Sequence, residues 1–498
     1  MKTILHTSLI LLSLIVLSTQ TVVSQNTTFK LTDYKTPVYN YQALDLNFDL
    51  TSLFSASQNS NSTQSSGHNY SVNSDLKAAY TGFVNSAGQQ REISVSFRQS
   101  IMAEGHHVNE PYDQVNTYNL FLPSEHLTIT GLQRFYNAKQ NYIEINATLL
   151  NNLMHYTDKH KTLSSGPAAY SVESTVKQYV SQSNGAILLG KGRIEQVQDA
   201  RLALYLLDDL NKLNRDKRPA SDQDVLALAK LITSLKYKRF FDDRLRKIAE
   251  ITAIDSFMRV NRLTGLTDAV YYTSLSDNWN FANNPVRLSG RRLFAGIEGE
   301  LLYANAKDNS TNKETNESIY STKRKQGDVG LYAVAGIDFE KPVSLRWQQS
   351  ANFKAGIGST YQFRTYSEET TPADSSEYYG GTPSIKLAAA YGCGYYPNSR
   401  TWFTVNWDIT ALYEKQNKGT IKKDQTFFQD KFTCYSGPKV QAYFYLSQKL
   451  RLNLSFQGWF RFTNDKSSYT YAQQEPATKN TIFDWNQQVN AGLIYSLF

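Results

Sequence analysis

Apolar and polar residues alternate along the C-terminal half of the chain with a period of two. From Leu345 to Phe363 every second position is mostly apolar, and the positions between them, from Arg346 to Arg364, are mostly polar. A period of two held for about twenty residues indicates a β-strand and excludes an amphipathic helix. Such a strand is longer than the roughly 9–11 residues that a tilted membrane strand needs. The pattern therefore predicts strands that cross a membrane.

The same alternation recurs often enough to predict a barrel. About eight segments follow Arg292 and about four weaker ones precede Tyr156, which gives about twelve strands, an even number as in bacterial barrels. The eight begin near Leu293, Val329, Leu345, Ile385, Phe403, Val440, Leu450 and Val489. The four have the apolar faces Leu44–Leu50, Val72–Tyr80, Ile93–Phe97 and Ile143–Leu149.

The predicted connections alternate between long and short, as in residues 103–141 and 85–89. Outer-membrane barrels have long extracellular loops and short periplasmic turns, so both chain ends are predicted in the periplasm. The last segment ends at Phe498, which resembles the export signal of bacterial outer-membrane barrels. A soluble β-sandwich would also alternate, but strand length, loop asymmetry and the terminal Phe favour the barrel.

A helical block is predicted from Thr157 to Gly290, where a short periplasmic turn would be expected. Apolar residues recur at spacings of three and four in residues 197–210, 225–235 and 241–257, which predicts about three helices. Ser221 followed by Asp224 resembles a capping box with Asp in place of Glu. The block is far larger than the periplasmic turn that a simple porin needs.

The N-terminus has the pattern of a secretory signal, with Lys2, a short apolar run over residues 9–17 and small residues before a cut at Gln25. The predicted domains are a signal peptide at 1–24, N-terminal barrel strands at 25–156, an inserted helical periplasmic domain at 157–290 and C-terminal barrel strands at 291–498. The predicted fold class is mainly β, a transmembrane antiparallel β-barrel of about 12 strands with an inserted periplasmic α-helical domain. The expected location is the bacterial outer membrane, with its lipid as a partner.

The composition supports strands with one apolar face and one wet face. The chain has 33 Tyr, 25 Phe, only 12 Pro and a mean hydropathy of −0.47. A formal net charge of +8 is modest for 498 residues, so nucleic acid is not predicted as a partner. Cys393 and Cys434 are expected on two strands separated by a third, beyond disulfide reach.

Two motifs that suggest chemistry are better explained without it. The stretch from Gly185 to Gly192 nearly spells a phosphate-binding loop, but Gly192 stands where Ser or Thr must hold magnesium. A Gly-rich turn before a helix is favoured, and no nucleotide is predicted. A group of His and carboxylate residues in one predicted surface loop lacks diagnostic zinc-ligand spacing, so a polar loop is favoured. This group comprises Glu104, His106, His107, Glu110 and Asp113.

Nothing in the sequence indicates an enzyme. All seven His lie at or before His160, and no Gly-x-Ser-x-Gly elbow stands out. We therefore predict no catalytic residue, no cofactor and no metal.

The inward positions of the predicted strands carry charges of both signs, which favours a polar channel without strong charge selectivity. The same charges could instead close a narrow lumen by pairing with one another, and the sequence leaves both readings open. The candidate lumen-lining residues are Glu298, Glu300, Asp338, Arg346, Lys354, Lys386, Asp408, Lys439, Arg451 and Arg461.

Two functions follow from these features. The first is a channel for small polar solutes, which rests on the wet lumen. The alternative is an outer-membrane scaffold or receptor that holds a periplasmic protein partner through residues 157–290. In either case the helical block is expected to dock against the barrel mouth and gate it, with Arg239, Arg244 and Arg246 facing inward carboxylates.

Four short motifs carry a family resemblance. They are Gly190-Lys191-Gly192-Arg193-Ile194-Glu195, Arg239-Phe240-Phe241-Asp242-Asp243-Arg244, Asp277-Asn278-Trp279 and Ser289-Gly290-Arg291. With them the chain resembles uncharacterised outer-membrane β-barrel proteins of Bacteroidota-type bacteria that carry an inserted helical domain. The resemblance implies location and architecture, and it transfers no catalytic residue.

Overall fold

The computed structural model describes residues 29–59, 65–110, 114–163, 170–236, 243–281, 286–368, 376–398, 400–420, 426–446, 450–470 and 478–495. The predicted signal peptide at 1–24 and the terminal Phe498 lie outside these described residues.

One antiparallel sheet of fourteen strands dominates the chain, and each strand pairs with its neighbours in sequence order. The sheet extends from β1 to β14 without a crossover, and among the described residues no pairing joins β14 back to β1. The strands are β1 (Tyr39–Asn59), β2 (Ser65–Asn85), β3 (Gln89–Glu110), β4 (Gln114–Tyr136), β5 (Asn141–Leu163), β6 (Tyr170–Gln196), β7 (Leu288–Asn312), β8 (Ser318–Pro342), β9 (Trp347–Glu368), β10 (Ser376–Tyr395), β11 (Thr401–Thr420), β12 (Thr426–Tyr445), β13 (Leu450–Thr470) and β14 (Thr478–Tyr495).

The mainly β class and the antiparallel order are confirmed, but the predicted count of about twelve strands is wrong. The two missed strands are β4 and β6. In β4 the apolar run at Leu120–Leu122 and the following Pro123 interrupt the period of two. In β6 the apolar run at Ala186–Leu189 places apolar side chains on both faces, and only scattered apolar residues mark one face of the first half.

The helical block begins later than predicted. Residues 157–163 continue β5, and residues 170–196 form β6, so the boundary at Thr157 is wrong. Four helices follow, rather than about three. They are α1 (Gln198–Lys212), α2 (Asp222–Lys236), α3 (Asp243–Val260) and α4 (Ala269–Phe281). None of the described helices is long and apolar enough to cross a membrane.

Both predicted loop motifs lie in strands. Glu104, His106, His107 and Glu110 belong to β3, while Asp113 lies outside the described residues. Successive residues of a strand point to opposite faces, so this group is divided between two faces. Among the described residues, no group of three or more potential ligands is placed to hold a metal ion.

The glycines of the P-loop-like stretch lie within β6, so the predicted turn before a helix is wrong. Gly192 has a φ of +102°, and across the pairing with β7 Gly290 has a φ of +133°. A Cβ at either position would collide with a carbonyl oxygen of the opposite strand. Glycine is therefore required where β6 and β7 approach the helical segment.

The strands are about twice as long as a membrane needs. Strand lengths range from 18 residues in β14 to 27 in β6, against roughly 9–11 for a tilted span. Most of the predicted long loops are continuations of strands, as where β7 and β8 pair until Thr311 and Ser318. Where both faces of a strand are polar, its residues do not alternate between apolar and polar, so the sequence pattern does not predict the strand.

Most exposed large apolar side chains lie on one face of the sheet, and they are concentrated in the half of each strand nearest the helical segment. In β8 they include Leu331 and Ile337, in β9 Phe353 and Ile357, and in β1 Phe48, all exposed. The other half of β8, residues 318–328, is mostly polar on both faces. At 3.3 Å per residue and a tilt of about 40°, those eleven residues extend about 28 Å beyond the apolar band.

Both cysteines lie where the alternation predicted. Cys393 is in β10 and Cys434 in β12, with β11 between them, and both thiols are free.

The helical segment is an insertion between two paired strands. Gln196 at the end of β6 pairs with Leu288 at the start of β7, and the Val197 amide donates to the Arg287 carbonyl at 2.8 Å. We name residues 197–281 the cap. The cap packs onto residues 29–38, which we name the strap and which include a short 3-10 helix at Leu31–Asp33. Phe29, Leu31 and Tyr34 of the strap are buried in the same core as α1, α2 and α4.

The predicted capping box at the start of α2 is present. The Ser221 amide and hydroxyl both donate to the Asp224 carboxylate, at 2.8 and 2.7 Å, and the Asp224 amide donates back to the Ser221 hydroxyl at 3.2 Å. The Arg218 guanidinium adds two hydrogen bonds, at 2.8 and 3.0 Å. Chiefly because of Arg218, and also because of Ser221, the pKa of Asp224 lies well below its usual value of 3.8.

Substitution of Ser221, the residue that caps the start of α2, should loosen the first turn of that helix. Ser221→Ala removes one half of the box and should cost about 1 kcal/mol, which raises amide exchange in the first turn of α2 about fivefold. Ser234→Ala, in an exposed position of the same helix, is the control and should leave that turn unchanged. Because the pKa of Asp224 is lower in the folded state, its carboxylate stabilises the fold at pH values above its unfolded-state pKa. This stabilisation is lost only as pH falls through the folded-state pKa, so protection of the first turn of α2 in the wild type should persist at mildly acidic pH. Equal exchange in both variants would contradict the capping role.

Candidate functional site

Nine of the ten candidate lumen residues lie in strands, on the face opposite the apolar band. The tenth, Arg346, lies in the turn between β8 and β9, so its placement on a strand is wrong. The nine are Glu298, Glu300, Asp338, Lys354, Lys386, Asp408, Lys439, Arg451 and Arg461. We name this surface the polar face. That these residues line a closed lumen stays a prediction.

Ion pairs cross over intervening strands on the polar face. Lys354 of β9 pairs with Glu298 of β7, across β8. Lys386 of β10 pairs with Glu300 of β7 at 2.6 Å, across two strands, and its ammonium lies 3.8 Å from the centre of the Tyr332 ring. Side chains can meet across one or two strands only where the sheet curves toward them, because adjacent strands are about 4.8 Å apart. The polar face is therefore concave here.

Four charged side chains from four strands form one cluster near the cap. The Arg134 guanidinium lies 2.6 Å from the Glu144 carboxylate, which lies 3.5 Å from the Arg292 guanidinium, and Arg292 reaches Asp338 at 2.6 Å. These side chains come from β4, β5, β7 and β8 and are mostly buried. Two positive and two negative charges cancel, so the cluster presents little net field.

This charge cluster lies between two cavities on the polar face. The larger, of about 420 Å³, is on the side of the cap and is lined by residues of seven strands between β2 and β9. The smaller, of about 220 Å³, extends along the strands away from the cap. Arg292 and Asp338 line both cavities. The cluster therefore narrows the path along the polar face at this level.

Only part of this cluster was predictable from the sequence. Glu144 and Asp338 stood at inward positions of recognised strands, whereas Arg134 fell in a predicted loop. Arg292 had a usable signal, because it precedes the apolar alternation of β7 by one residue.

One arginine fastens the cap to the sheet. Arg287, fully buried, donates to the carbonyl oxygens of Ser344, Leu345 and Trp347 at 2.6 to 2.9 Å and to the Gln348 side chain at 3.0 Å. These acceptors belong to the turn between β8 and β9 and to the start of β9. Burial, with a smaller contribution from nearby Arg201, lowers the pKa of Arg287 to about 10, so the guanidinium is still charged at neutral pH.

The cap also contacts the next turn of the sheet. The Tyr205 hydroxyl of α1 donates to the Tyr396 carbonyl at 3.0 Å, in the turn between β10 and β11. Asp277 of α4 pairs with Arg400 in that same turn. The cap is therefore held against two successive turns at one end of the sheet.

The motif Asp277-Asn278-Trp279 joins the helices to each other and to the sheet. Asn278 donates to the Asp209 carboxylate at 2.8 Å, and the Trp279 indole donates to Glu250 at 2.6 Å. Glu250 is also the partner of Arg246, at 2.9 Å. The expected role of Arg246 against barrel carboxylates is therefore wrong, because its partner lies in its own helix. The side chains of Arg239 and Arg244 lie outside the described residues.

The strap crosses the end of the sheet from β1 toward β7 and β8. Its 3-10 helix contacts β7 and β8, and the Thr36 hydroxyl donates to the Gln196 carbonyl of β6 at 2.8 Å. The Tyr34 hydroxyl lies 2.8 Å from the Thr233 hydroxyl, which donates to Asp199 at 2.6 Å. Lys236 also binds Asp199, at 2.7 Å. Strap, α1 and α2 are thus joined through one buried polar group.

Comparison with known proteins adds little to this geometry. No protein-family model matches the chain, and no curated protein matches it. Among solved structures, the translocator domain of the autotransporter NalP from Neisseria meningitidis is similar, with 10% identity over 81% of this chain and 88% of that chain. Its TM-score is 0.22, which is too low to support an argument about fold or function.

Removal of the buried guanidinium should detach the cap. Arg287→Met leaves four buried acceptors without their donor and should cost about 3 to 5 kcal/mol of docking free energy. Amide exchange across α1 should rise, while exchange in β10 and β11 stays slow. Arg259→Met, which removes a half-exposed pair with Asp255 on the cap, is the matched control and should change little. Unchanged protection of α1 in Arg287→Met would show that the cap is held by other contacts.

Proposed function

We propose that the chain is a bacterial outer-membrane β-barrel that passes small polar solutes, and that its periplasmic end is covered by the cap and the strap. The observation that carries this proposal is the apolar band. On strands from β1 to β14, most exposed large apolar side chains lie on one face and are concentrated toward the cap, and the opposite face is mostly polar and charged. Once its two edge strands pair, such a sheet would satisfy its backbone in lipid and keep polar groups away from the lipid.

The position of the apolar band supports the proposed orientation. The band begins close to the short turns and the cap, so these would lie at the periplasmic surface. The mostly polar far halves of the strands would then project from the outer surface of the cell. Six strands precede the cap and eight follow it, and both numbers are even. The cap, the strap and the C-terminal end of β14 would therefore lie on the same side of the membrane. The predicted signal peptide and the resemblance to Bacteroidota-type barrels agree with this orientation and stay predictions.

The charges of the polar face favour a channel that does not select strongly between positive and negative solutes. Its ion pairs balance, and the two cavities contain both signs of charge. The cap and strap cover the end beside the larger cavity, so the resting protein should conduct little.

A scaffold or receptor role is the second candidate, and a specific observation favours it. The cap exposes large apolar side chains on its outer surface, including Val260 at 81%, Leu266 at 59% and Ile248 at 56%. A periplasmic partner that bound to the cap would cover such exposed apolar side chains.

Conductance with and without the cap separates the two functions. A variant in which a short Gly–Ser turn replaces residues 198–286 can close as a hairpin, because Gln196 and Leu288 already pair. After recovery from the outer membrane, this variant should conduct in planar bilayers with a current several-fold above wild type, since the covered end is opened. Arg259→Met, with an intact cap, should match wild type. If neither the wild type nor the variant without the cap conducts, the channel function is wrong and the scaffold role remains. Recovery of the wild-type protein in the soluble periplasmic fraction would reject the membrane location itself.

A further inference from the structure

In the part of the chain that the structure describes, no strand pairs with the outer edge of β1 or of β14. All of residues 44–50 in β1 and 485–491 in β14 are exposed, on both faces of the sheet. Unpaired strand edges bind other strands, and in lipid an unpaired amide costs several kcal/mol. The sheet has an even number of strands, so β1 and β14 run antiparallel to each other once they meet.

The strand registers fix how far a row of paired residues shifts along the strands from β1 to β14. The row that begins at Tyr39 on β1 passes through Asn85, Gln90, Arg134, Glu144, Leu188, Gly296, Val334, Gly356, Lys386, Leu412, Thr433 and Thr463 to Ile482 on β14. If β1 and β14 pair, Ile482 faces a residue of β1 that lies farther from the cap than Tyr39. The offset between those two β1 positions is the shear of the barrel.

We infer that β1 pairs with β14 and that this pairing places Ile482 opposite Ser55, with Leu44 opposite Leu493 and Asn47 opposite Asn490. This inference rests on the proposed function, since closure is what a membrane barrel requires. Ser55 is 16 residues beyond Tyr39. With fourteen strands about 4.8 Å apart and 3.3 Å per residue, that shear gives a strand tilt of about 38°, within the range of about 35–45° for membrane barrels.

The neighbouring registers fit less well. A shift of two residues toward the cap lowers the tilt to about 34° and places Phe48 opposite Gln487 instead of Val489. A shift of two residues the other way places Thr478 and Lys479 opposite residues beyond Asn59, where β1 ends. In the proposed register all 18 residues of β14 face β1. Shifts of one residue are excluded because they would place apolar side chains opposite polar ones.

The apolar and polar faces continue across the proposed seam. Leu44, Leu46 and Phe48 would face Leu493, Ala491 and Val489 in the apolar band. Asp45, Asn47 and Asp49 would face Gly492, Asn490 and Gln488 on the polar face. The occupant of each edge is therefore the other edge of the same chain, rather than a strand of another molecule.

Disulfide trapping tests both the partner and the register. In a Cys393→Ser, Cys434→Ser background, Asn47→Cys with Asn490→Cys should form an intramolecular bond on oxidation, because directly opposite residues lie about 4.5–5.5 Å apart. The matched controls pair Asn490→Cys with Asp45→Cys or Asp49→Cys, which are diagonal at about 7–8 Å and should bond at least tenfold less. Asp49→Cys with Gln488→Cys is a second pair in the same register, for the case that the first fails to assemble.

Protein is taken from the outer-membrane fraction and its bonds are identified by mass spectrometry. A bond at 47–490, or at 49–488, with little at the diagonal pairs, supports the seam. Preferential bonding at a diagonal pair overturns the register, and disulfide-linked dimers overturn the intramolecular partner. No bond at either pair in membrane-inserted protein means that the seam is open. Failure of the wild-type protein to reach the membrane would reject the proposed function, and bonding can still be measured in that soluble protein.

Discussion

Pairing of backbone amides and carbonyls is the constraint on which this structure depends. Among the described residues, thirteen pairings join consecutive strands, and the outer edges of β1 and β14 have no strand partner. Because pairing depends on the backbone and not on the side chains, strands continue where the sequence becomes polar on both faces, as in the far half of β8. The side chains then decide which face is apolar and where along the strands the apolar residues are concentrated. The apolar band on one face and the ion pairs on the other follow from that division.

The insertion point of the cap is the second consequence of strand pairing. The cap leaves the sheet after Gln196 and returns at Leu288, which are paired, so the insertion does not disturb the register of β6 and β7. Gly192 and Gly290 permit the close approach of the two strands just inside that point. Arg287 then ties the returning chain to the adjacent turn. With the cap fixed there, the charge cluster of Arg134, Glu144, Arg292 and Asp338 and the larger cavity lie directly beside it.

Much of this fold was accessible from the sequence, and the exceptions have physical causes. The apolar faces of β9 and β11 followed from side-chain periodicity, and the capping box followed from the spacing of Ser221 and Asp224. β4 and β6 were missed because continuous apolar runs interrupt their alternation, although their backbones pair. Nine candidate polar-face residues followed from the same parity, whereas the pairing of Lys386 with Glu300 depends on curvature that a linear pattern does not contain. The role of Arg287 was not predictable, since a lone Arg between a helix and a strand carries no signal for burial.

The central claim is that one end of the sheet bears the cap in the periplasm and the other projects from the cell. Val260→Cys places a thiol at an exposed position of the cap, and Glu314→Cys places one in the turn between β7 and β8, both with the native cysteines replaced by Ser. A maleimide that cannot cross the outer membrane is added to intact cells. The account predicts strong labelling at position 314 and labelling at position 260 only after the membrane is permeabilised. Labelling of position 260 in intact cells, with position 314 protected, would contradict it.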